Sequence, residues 1–587
     1  MRKIILLVLC LLLSLTAAFA RRVPLEKAAS AAAEVLRTAR PSAAGINPAS
    51  LRLVKESPSL YVFENDGGGY VIAAADDVAA PILAWSSEGR FPEADMPVNM
   101  KSLLDWYERV IAFASAQGWE SNPTAANGLP GAGSETEVKL RTARWGQGHP
   151  FNDLSPKVDG KECPSGCVAT AQAIIMKYYN YPERGTGILP GYDFGWSGAA
   201  GGYKYHIDGY ALGHAYDWEN MPENASGCTE YQAAQIAQLL YDIGVMSEMN
   251  FAPEGSGASS LSPLKLTKYF GYDKSMNYQA RIYYSTEKWE QMIRDEIDAG
   301  RPVFHCGFNP DGGHAFVMDG YRGRYFSINY GWSGGSAWYL ISPVEGHDKE
   351  LTEFYDGQDM VVRIFPDAGG EAYVNPFVPD HFLPFRWNFE EKSVWGGWFW
   401  LWDYSAETGG EVELAYCIFD RNENFRQTVS KAVSLRMGKD YMPEVTITFP
   451  DRIDDGDCIM LSRHESGAWR PLPQSRRSYI RFDRSRKLPE MLKVGHSFGP
   501  AGQYTENGKS EVFFDIYKDV WWTISDQAGN VVIDSSMEAF SSRDVSLSTS
   551  MLDDDSGLAR FECRLPEGTY SMTIRNFSET LSLTFTL

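Results

Sequence analysis

Cysteine is scarce in this chain: 587 residues hold eight, and one of them, Cys10, lies within the first twenty. That sparsity excludes a small fold stapled together by disulfides. The other seven are Cys163, Cys167, Cys228, Cys306, Cys417, Cys458 and Cys563, an odd number, so at least one thiol is free or pairs between chains. Basic residues are outnumbered, 54 Lys and Arg against 76 Asp and Glu, for a formal charge of -22 at pH 7. No cluster of Lys and Arg suited to a phosphate backbone occurs, which excludes nucleic acid as a partner. The acidic balance favours a soluble surface of extracellular type. Past the N-terminus no apolar stretch reaches the ~18 residues that a membrane span needs, so no span is expected in the mature chain. Repeats at a fixed period and low-complexity tracts are missing too, which excludes a solenoid.

What is present divides the chain into parts. A length of 587 residues exceeds one hydrophobic core, at roughly 100 to 200 residues per domain. Met1-Arg2-Lys3 is a basic start, Ile4 to Leu15 an apolar run, and Ala18-Phe19-Ala20 a small-residue cleavage site, so residues 1–20 read as a secretory signal peptide. Cys10 sits inside the apolar run and not after it, unlike a lipidated cysteine. The spacing in "LEKAASAAAEVLRTA" and "NMKSLLDWYERVIAFASAQ" predicts two helices, and "SLYVFENDGGGYVIAAADD" predicts two antiparallel strands joined by a Gly-rich turn. Together they make a small α+β unit over residues 21–139. Its end, "ESNPTAANGLPGAGSETE", reads as an exposed linker. The basic residues that follow, Lys139, Arg141 and Arg144, are expected sites of proteolytic nicking. Residues 140–367 alternate helical and strand patterns. From 368 to 587 short alternating strands dominate, as in "EVELAYCIFD" and "VWWTISDQAGNVVIDSS", and predict one or two β-sandwich modules. The segment "RWNFEEKSVWGGWFWLWDYSA" fits a strand packing its tryptophans at a domain interface more simply than a sugar platform.

The chemistry gathers in the middle part. "ECPSGCVATAQAIIMKYYNYP" sets Cys167 in the first turn of a predicted helix, behind the small residues Ser165 and Gly166 and ahead of the terminators Asn180 and Pro182. Unpaired N–H groups and the helix dipole there favour an anion, so a thiol in that turn is shifted toward the thiolate that attacks carbonyls. A buried structural cysteine at a helix start carries the same signature. A nucleophile needs a base, and of nine histidines His314 has the fullest context, "DGGHAFVMDGYRGRYFSIN". A hairpin loop at 319–324 would set His314 opposite Asn329, with Cβ atoms about 4.5 to 5.5 Å apart, within reach of an Asn that orients an imidazole. His149 competes as base but shows no orienter in the sequence. Gln147, in the Gly-flanked loop "RWGQGHPFN", can offer a side-chain amide to an oxyanion beside the Cys167 N–H. Cys163 and Cys167 form a Cys-x-x-x-Cys pair without a second pair, which is too little for zinc, so no metal or other cofactor is expected.

The four stretches "WGQGHPFN", "GCVATAQAIIMKYYNYP", "GGHAFVMDGY" and "INYGWSGG", in this order, resemble the streptopain family of papain-like cysteine peptidases. The resemblance implies an α+β, papain-like catalytic domain with Cys167 as nucleophile, His314 as general base and acid, Asn329 as orienter and Gln147 in the oxyanion hole. Gly313, Tyr330 and Trp332 would bind substrate or shield the site. Members usually carry Trp where this chain has Tyr330, so shielding of the His-Asn contact is altered. "YVFENDGGGYVIAAADDVAAPILAWSSEG" resembles the family's inhibitory propeptide, which implies a zymogen with its own propeptide as intramolecular partner and proteins or peptides as substrates. Cys163 is expected as a buried thiol or in a disulfide to Cys306 or Cys228. The rival readings are another papain-like acyl-transfer enzyme, a peptidoglycan amidase or transglutaminase, and a catalytically decayed surface-binding protein.

Overall fold

In the computed structural model the chain divides into two units, Met1–Tyr373 and Val374–Leu587. The structure describes most of residues 22–373, leaving out 42–44, 93–95, 97, 122–135, 199–200, 282–283, 310–311, 346 and 348–357; beyond 373 it describes strands, with side chains chiefly in 411–472, 522–533 and 565–586. The expected signal peptide, most of the expected linker and the side chains of the Trp-rich segment lie outside the described residues. Among those described, no helix is long and apolar enough to cross a membrane.

The first unit begins with helix α1 (Leu25–Ala39) and strands β1 (Leu51–Glu56), β2 (Leu60–Asn65), β3 (Tyr70–Ala74) and β4 (Ile82–Ser86), followed by helix α2 (Val98–Ala116). The apolar face of α1, Ala28, Ala32, Ala33, Val35 and Leu36, is buried, and it packs with Phe63, Val71 and Trp85 in one core. A strand β5 (Glu137–Lys139) leads into helix α3 (Cys167–Tyr179) and helix α4 (Glu230–Met246). Then come β6 (Asn277–Ala280), helix α5 (Thr286–Asp298), β7 (Val303–Asn309), β8 (Gly312–Arg322), β9 (Tyr325–Asn329), β10 (Ala337–Leu340) and β11 (Gln358–Val362).

These strands form one sheet in the order β1-β2-β3-β4-β10-β9-β8-β7-β11-β6, with β5 added along β8. The seam between the N-terminal strands and the rest is β4 against β10, antiparallel, with Trp338 opposite Trp85 and Tyr339 opposite Ala84. Side chains close that seam. Trp85 stacks on Trp338 at 5.9 Å and meets the edge of Tyr325 at 4.5 Å between ring centres. The buried Tyr107 hydroxyl of α2 lies between one carbonyl on each side of the seam, Leu340 O at 2.7 Å and Leu83 O at 3.1 Å, and shares its single proton with them. Tyr325 likewise donates to Ile82 O at 2.9 Å.

The run at Lys139, Arg141 and Arg144 is not the loose segment that nicking requires. Val138 and Lys139 pair with Tyr321 and Gly320 of β8, Lys139 Nζ lies 2.5 Å from Asp319, Arg141 2.7 Å from Glu223 and Arg144 3.4 Å from Glu88. A protease needs extended, unpaired chain, and here the backbone is paired.

The second unit is all strand among its described elements. It contains a six-stranded sheet centred on Glu411–Phe419 and Cys458–Glu465, and two four-stranded sheets further on.

Trp85 is 1% exposed, so Trp85→Ala should cost the first unit about 3–5 kcal/mol through lost burial and an unfilled cavity. The check is the denaturant midpoint of the full chain, and an unchanged midpoint would remove Trp85 from the core of the seam.

Candidate active site

Helix α3 starts at Cys167 because Gly166 allows it to. Gly166 caps the helix at φ 88°, and a Cβ there would meet the Met249 side chain at 2.7 Å, so both conformation and space require glycine. The helix ends at Asn180 in the left-handed conformation, φ 48°, followed by Pro182. Behind Cys167 the helix is buried throughout Val168–Met176. Cys167 itself is half-buried at the exposed end of that rod.

Gln147 is fastened to the same turn. Its carbonyl accepts from the Ser165 N–H at 2.9 Å, and the Thr170 hydroxyl reaches Gly146 O at 3.3 Å. The loop carrying the Gln147 amide is thus tied to the backbone two residues before Cys167. Asn180, Gly166 and Ser165 stand where helix-start and helix-stop chemistry put them.

His314 lies on β8, against which α3 packs, and the backbone of its neighbour Ala315 lies near enough to the Cys167 thiol to favour its charged form, so the helix start meets the histidine strand. The imidazole Nε2 sits 3.1 Å from Tyr330 O. Trp332 and Tyr330 flank the ring at 5.8 and 6.1 Å and stack on each other at 4.7 Å. Tyr330 therefore joins an aromatic pair beside the imidazole, in the position where a tryptophan was expected. Gly313 is exposed, on β8 opposite Phe308.

The expected register does not hold. The turn between β8 and β9 is two residues long, with Arg322 opposite Tyr325, and a bulge at Asp319 shifts the ladder so that Asn329 faces Val317. His314 instead pairs with Gly307 on the other side. The Asn329 amide is engaged elsewhere: Nδ2 donates to Thr142 Oγ1 (3.0 Å) and Ala143 O (2.9 Å), and Oδ1 accepts from the Gly331 N–H (3.2 Å). What Asn329 braces is the turn whose middle carbonyl, Tyr330 O, receives His314. Thr142 and the Tyr330 carbonyl had no signal in the sequence, since one lies far upstream and the other is backbone.

His149 does have a carboxylate partner, contrary to the sequence reading: its Nδ1 lies 2.7 Å from Asp153 Oδ1, one helical turn ahead, with its side chain 77% exposed. Cys163 is a free, buried thiol, so the disulfide alternatives to Cys306 or Cys228 do not form. Cys306 is buried beside Asp359, its cross-strand neighbour, whose carboxyl burial pushes up to about 6. Among the described residues no group of three His, Cys, Asp or Glu side chains could hold a metal ion.

Burial sets the charge state of this site. It pushes the Cys167 thiol above its ordinary value, against the opposing N–H groups of Ala315, Val168 and Cys167 itself, and it lowers the His314 imidazole to about 4, opposed by the Tyr330 carbonyl. At neutral pH a thiol held up and an imidazole held down are both uncharged, so this form of the chain disfavours a thiolate–imidazolium pair. Alkylation of Cys167 by iodoacetamide in the full-length chain, followed by peptide mass spectrometry, should therefore be slow at neutral pH and rise only above pH 9. A fast plateau reaching below neutrality would show the charged pair already formed.

The match to known proteins covers this same region. Residues 145–339 match the model of the Peptidase C10 family, and residues 20–111 match that of the Spi protease inhibitor. The thiol protease/hemagglutinin PrtT of Porphyromonas gingivalis is 33% identical over 301 residues, 48% of this chain, which spans only 33% of that longer protein. Streptopain of Streptococcus pyogenes is 32% identical over 293 residues, 47% of this chain and 72% of streptopain. A solved fragment of prointerpain A from Prevotella intermedia shares 33% identity and is covered to 98%, against 54% of this chain, with a TM-score of 0.45. With the Cys167 helix, the His314 strand and an inhibitor-like N-terminal region in one unit, the chain belongs to the Peptidase C10 family, the streptopain family of cysteine peptidases.

Proposed function

We propose that the protein is a secreted cysteine endopeptidase made as an inactive precursor, with protein or peptide substrates. The parts are residues 1–20 as signal peptide, 21–139 as inhibitory propeptide, 140–367 as catalytic domain and 368–587 as β modules. The observation that carries the reading is the helix start at Cys167 set against the strand of His314, with the Gln147 loop tied to the turn just before the thiol.

In the active form His314 takes the proton of the Cys167 thiol, and the thiolate attacks the scissile carbonyl. The developing oxyanion is received by the Gln147 side-chain amide and the Cys167 N–H, at the positive end of α3. His314 then gives its proton to the leaving amine, and water hydrolyses the thioester, with His314 again accepting the proton. Asn329 holds the 329–331 turn that fixes the imidazole through Tyr330 O. Trp332 and Tyr330 shield that contact from water, and Gly313 leaves the backbone beside His314 open to a substrate. The N-terminal region restrains the precursor by adding its strands to the catalytic sheet at the β4–β10 seam.

Cys167→Ala should abolish casein hydrolysis and self-processing together, and a variant that matures and digests casein normally would overturn the reading. Gln147→Ala should lower kcat by about 10²-fold, the usual cost of one oxyanion donor. Steady-state kinetics on the self-processed protein check this, and an unchanged kcat would take Gln147 out of the oxyanion hole.

A further inference from the structure

The bulge on β8 has a consequence outside the strand itself. Asp319 is the extra residue of that bulge, is 0% exposed, and is turned toward the incoming chain at 139–143. One carboxylate oxygen, Oδ2, carries all its partners: Lys139 Nζ at 2.5 Å, the Thr142 hydroxyl at 2.5 Å and the Ser336 hydroxyl at 3.0 Å. The other, Oδ1, is buried with no hydrogen-bond partner among the described residues. A buried carboxylate satisfied on one side only is a costly way to pack a strand.

We propose that Asp319 is a positioning residue for the His314 imidazole, acting through Thr142, Asn329 and the Tyr330 carbonyl, which makes Thr142 and Ala143 a working part of the catalytic unit. This rests on the reading of His314 as base and acid. The direction of each hydrogen bond carries the argument. The Thr142 hydroxyl has one proton and spends it on Asp319 Oδ2, so it meets Asn329 Nδ2 as an acceptor. The second proton of that amide goes to Ala143 O. With both protons committed, the amide cannot turn over, and Oδ1 is the end that faces the Gly331 N–H. The turn so held sits close on α3, where a Cβ on Gly331 would come within 2.8 Å of the Thr170 methyl, and its middle carbonyl receives His314. Without Asp319 the Thr142 proton is free to point at Asn329. A hydroxyl so turned meets Asn329 Nδ2 donor to donor, and the amide, still tied to Ala143 O and the Gly331 N–H, loses its third anchor, which loosens the turn that holds the imidazole.

The test uses the full chain after self-processing, with labelled casein as substrate. Thr142→Val, which keeps the shape and removes the hydroxyl, should lower kcat about tenfold with KM changed less than about twofold, on the scale of one buried hydrogen bond. It should also move the acid limb of the kcat–pH profile, which reports the imidazole, and a purely structural role would not. Thr142→Ser should restore both to within about twofold of the parent, and Asp319→Ala should reproduce the Thr142→Val profile. If Asp319→Ala does not fold, the Thr142→Val and Thr142→Ser pair alone decides. Parental kcat and pH profile in Thr142→Val, or a loss that Thr142→Ser does not restore, would overturn the proposal. Activity surviving in Cys167→Ala would instead overturn the reading on which it rests.

Discussion

Everything in the site depends on one junction, the N-terminal turn of α3 pressed against β8 at Ala315. The helix is a buried rod from Val168 to Met176, and a glycine cap at its start lets the chain enter at an angle that no side chain would tolerate. That places the Cys167 thiol within reach of the backbone beside His314. The Gln147 loop is fastened to that junction through the Ser165 N–H, and the 329–331 turn sits close against Thr170 of the same helix. Cys167, His314 and Gln147, the proposed nucleophile, base and oxyanion donor, come from distant parts of the chain, and close packing around one helix end is what gathers the segments that carry them.

The electrostatics explain why such a junction can rest without reacting. The helix dipole and nearby N–H groups favour the thiolate, yet burial outweighs them and keeps the thiol protonated. The same burial keeps the imidazole neutral. Desolvation and pairing oppose each other here, so any change that admits water around the thiol and imidazole shifts the balance toward the charged forms. Strands β1–β4 extend the catalytic sheet by main-chain pairing and lock it with Trp85, Tyr107 and Tyr325. Separating the two halves means breaking aromatic stacking and buried hydrogen bonds together, which suits a restraint removed once by cleavage better than one that opens repeatedly.

Much of this was legible in the sequence because it is local. The α1 periodicity, the Gly-rich turn between β2 and β3, and the α3 start and stop are each written within a dozen residues, and each appears where the pattern put it. The hairpin register was not legible. A two-residue turn at Gly323-Arg324 and Asp319 as the extra residue of a bulge shift the ladder, and neither leaves a mark in the hydrophobic pattern. The error moved Asn329 from a direct partner of His314 to the brace of a turn. His149 was misread for a related reason, since its partner Asp153 stands at helical spacing in a segment with no helical pattern. Thr142 was invisible because a hydroxyl far upstream gains meaning only when β5 is laid along β8. Cys163, with a thiol neighbour nearby in sequence, is a plain buried thiol.

The central claim is that one thiol among several is the nucleophile and that substrate reaches it. Its most direct test is to treat the self-processed protein with a peptidyl epoxide and map the adduct by mass spectrometry. The account predicts a single stoichiometric adduct on Cys167, accompanied by complete loss of peptidase activity. An adduct on Cys228 or another thiol with activity lost, or full activity with Cys167 modified, would contradict it.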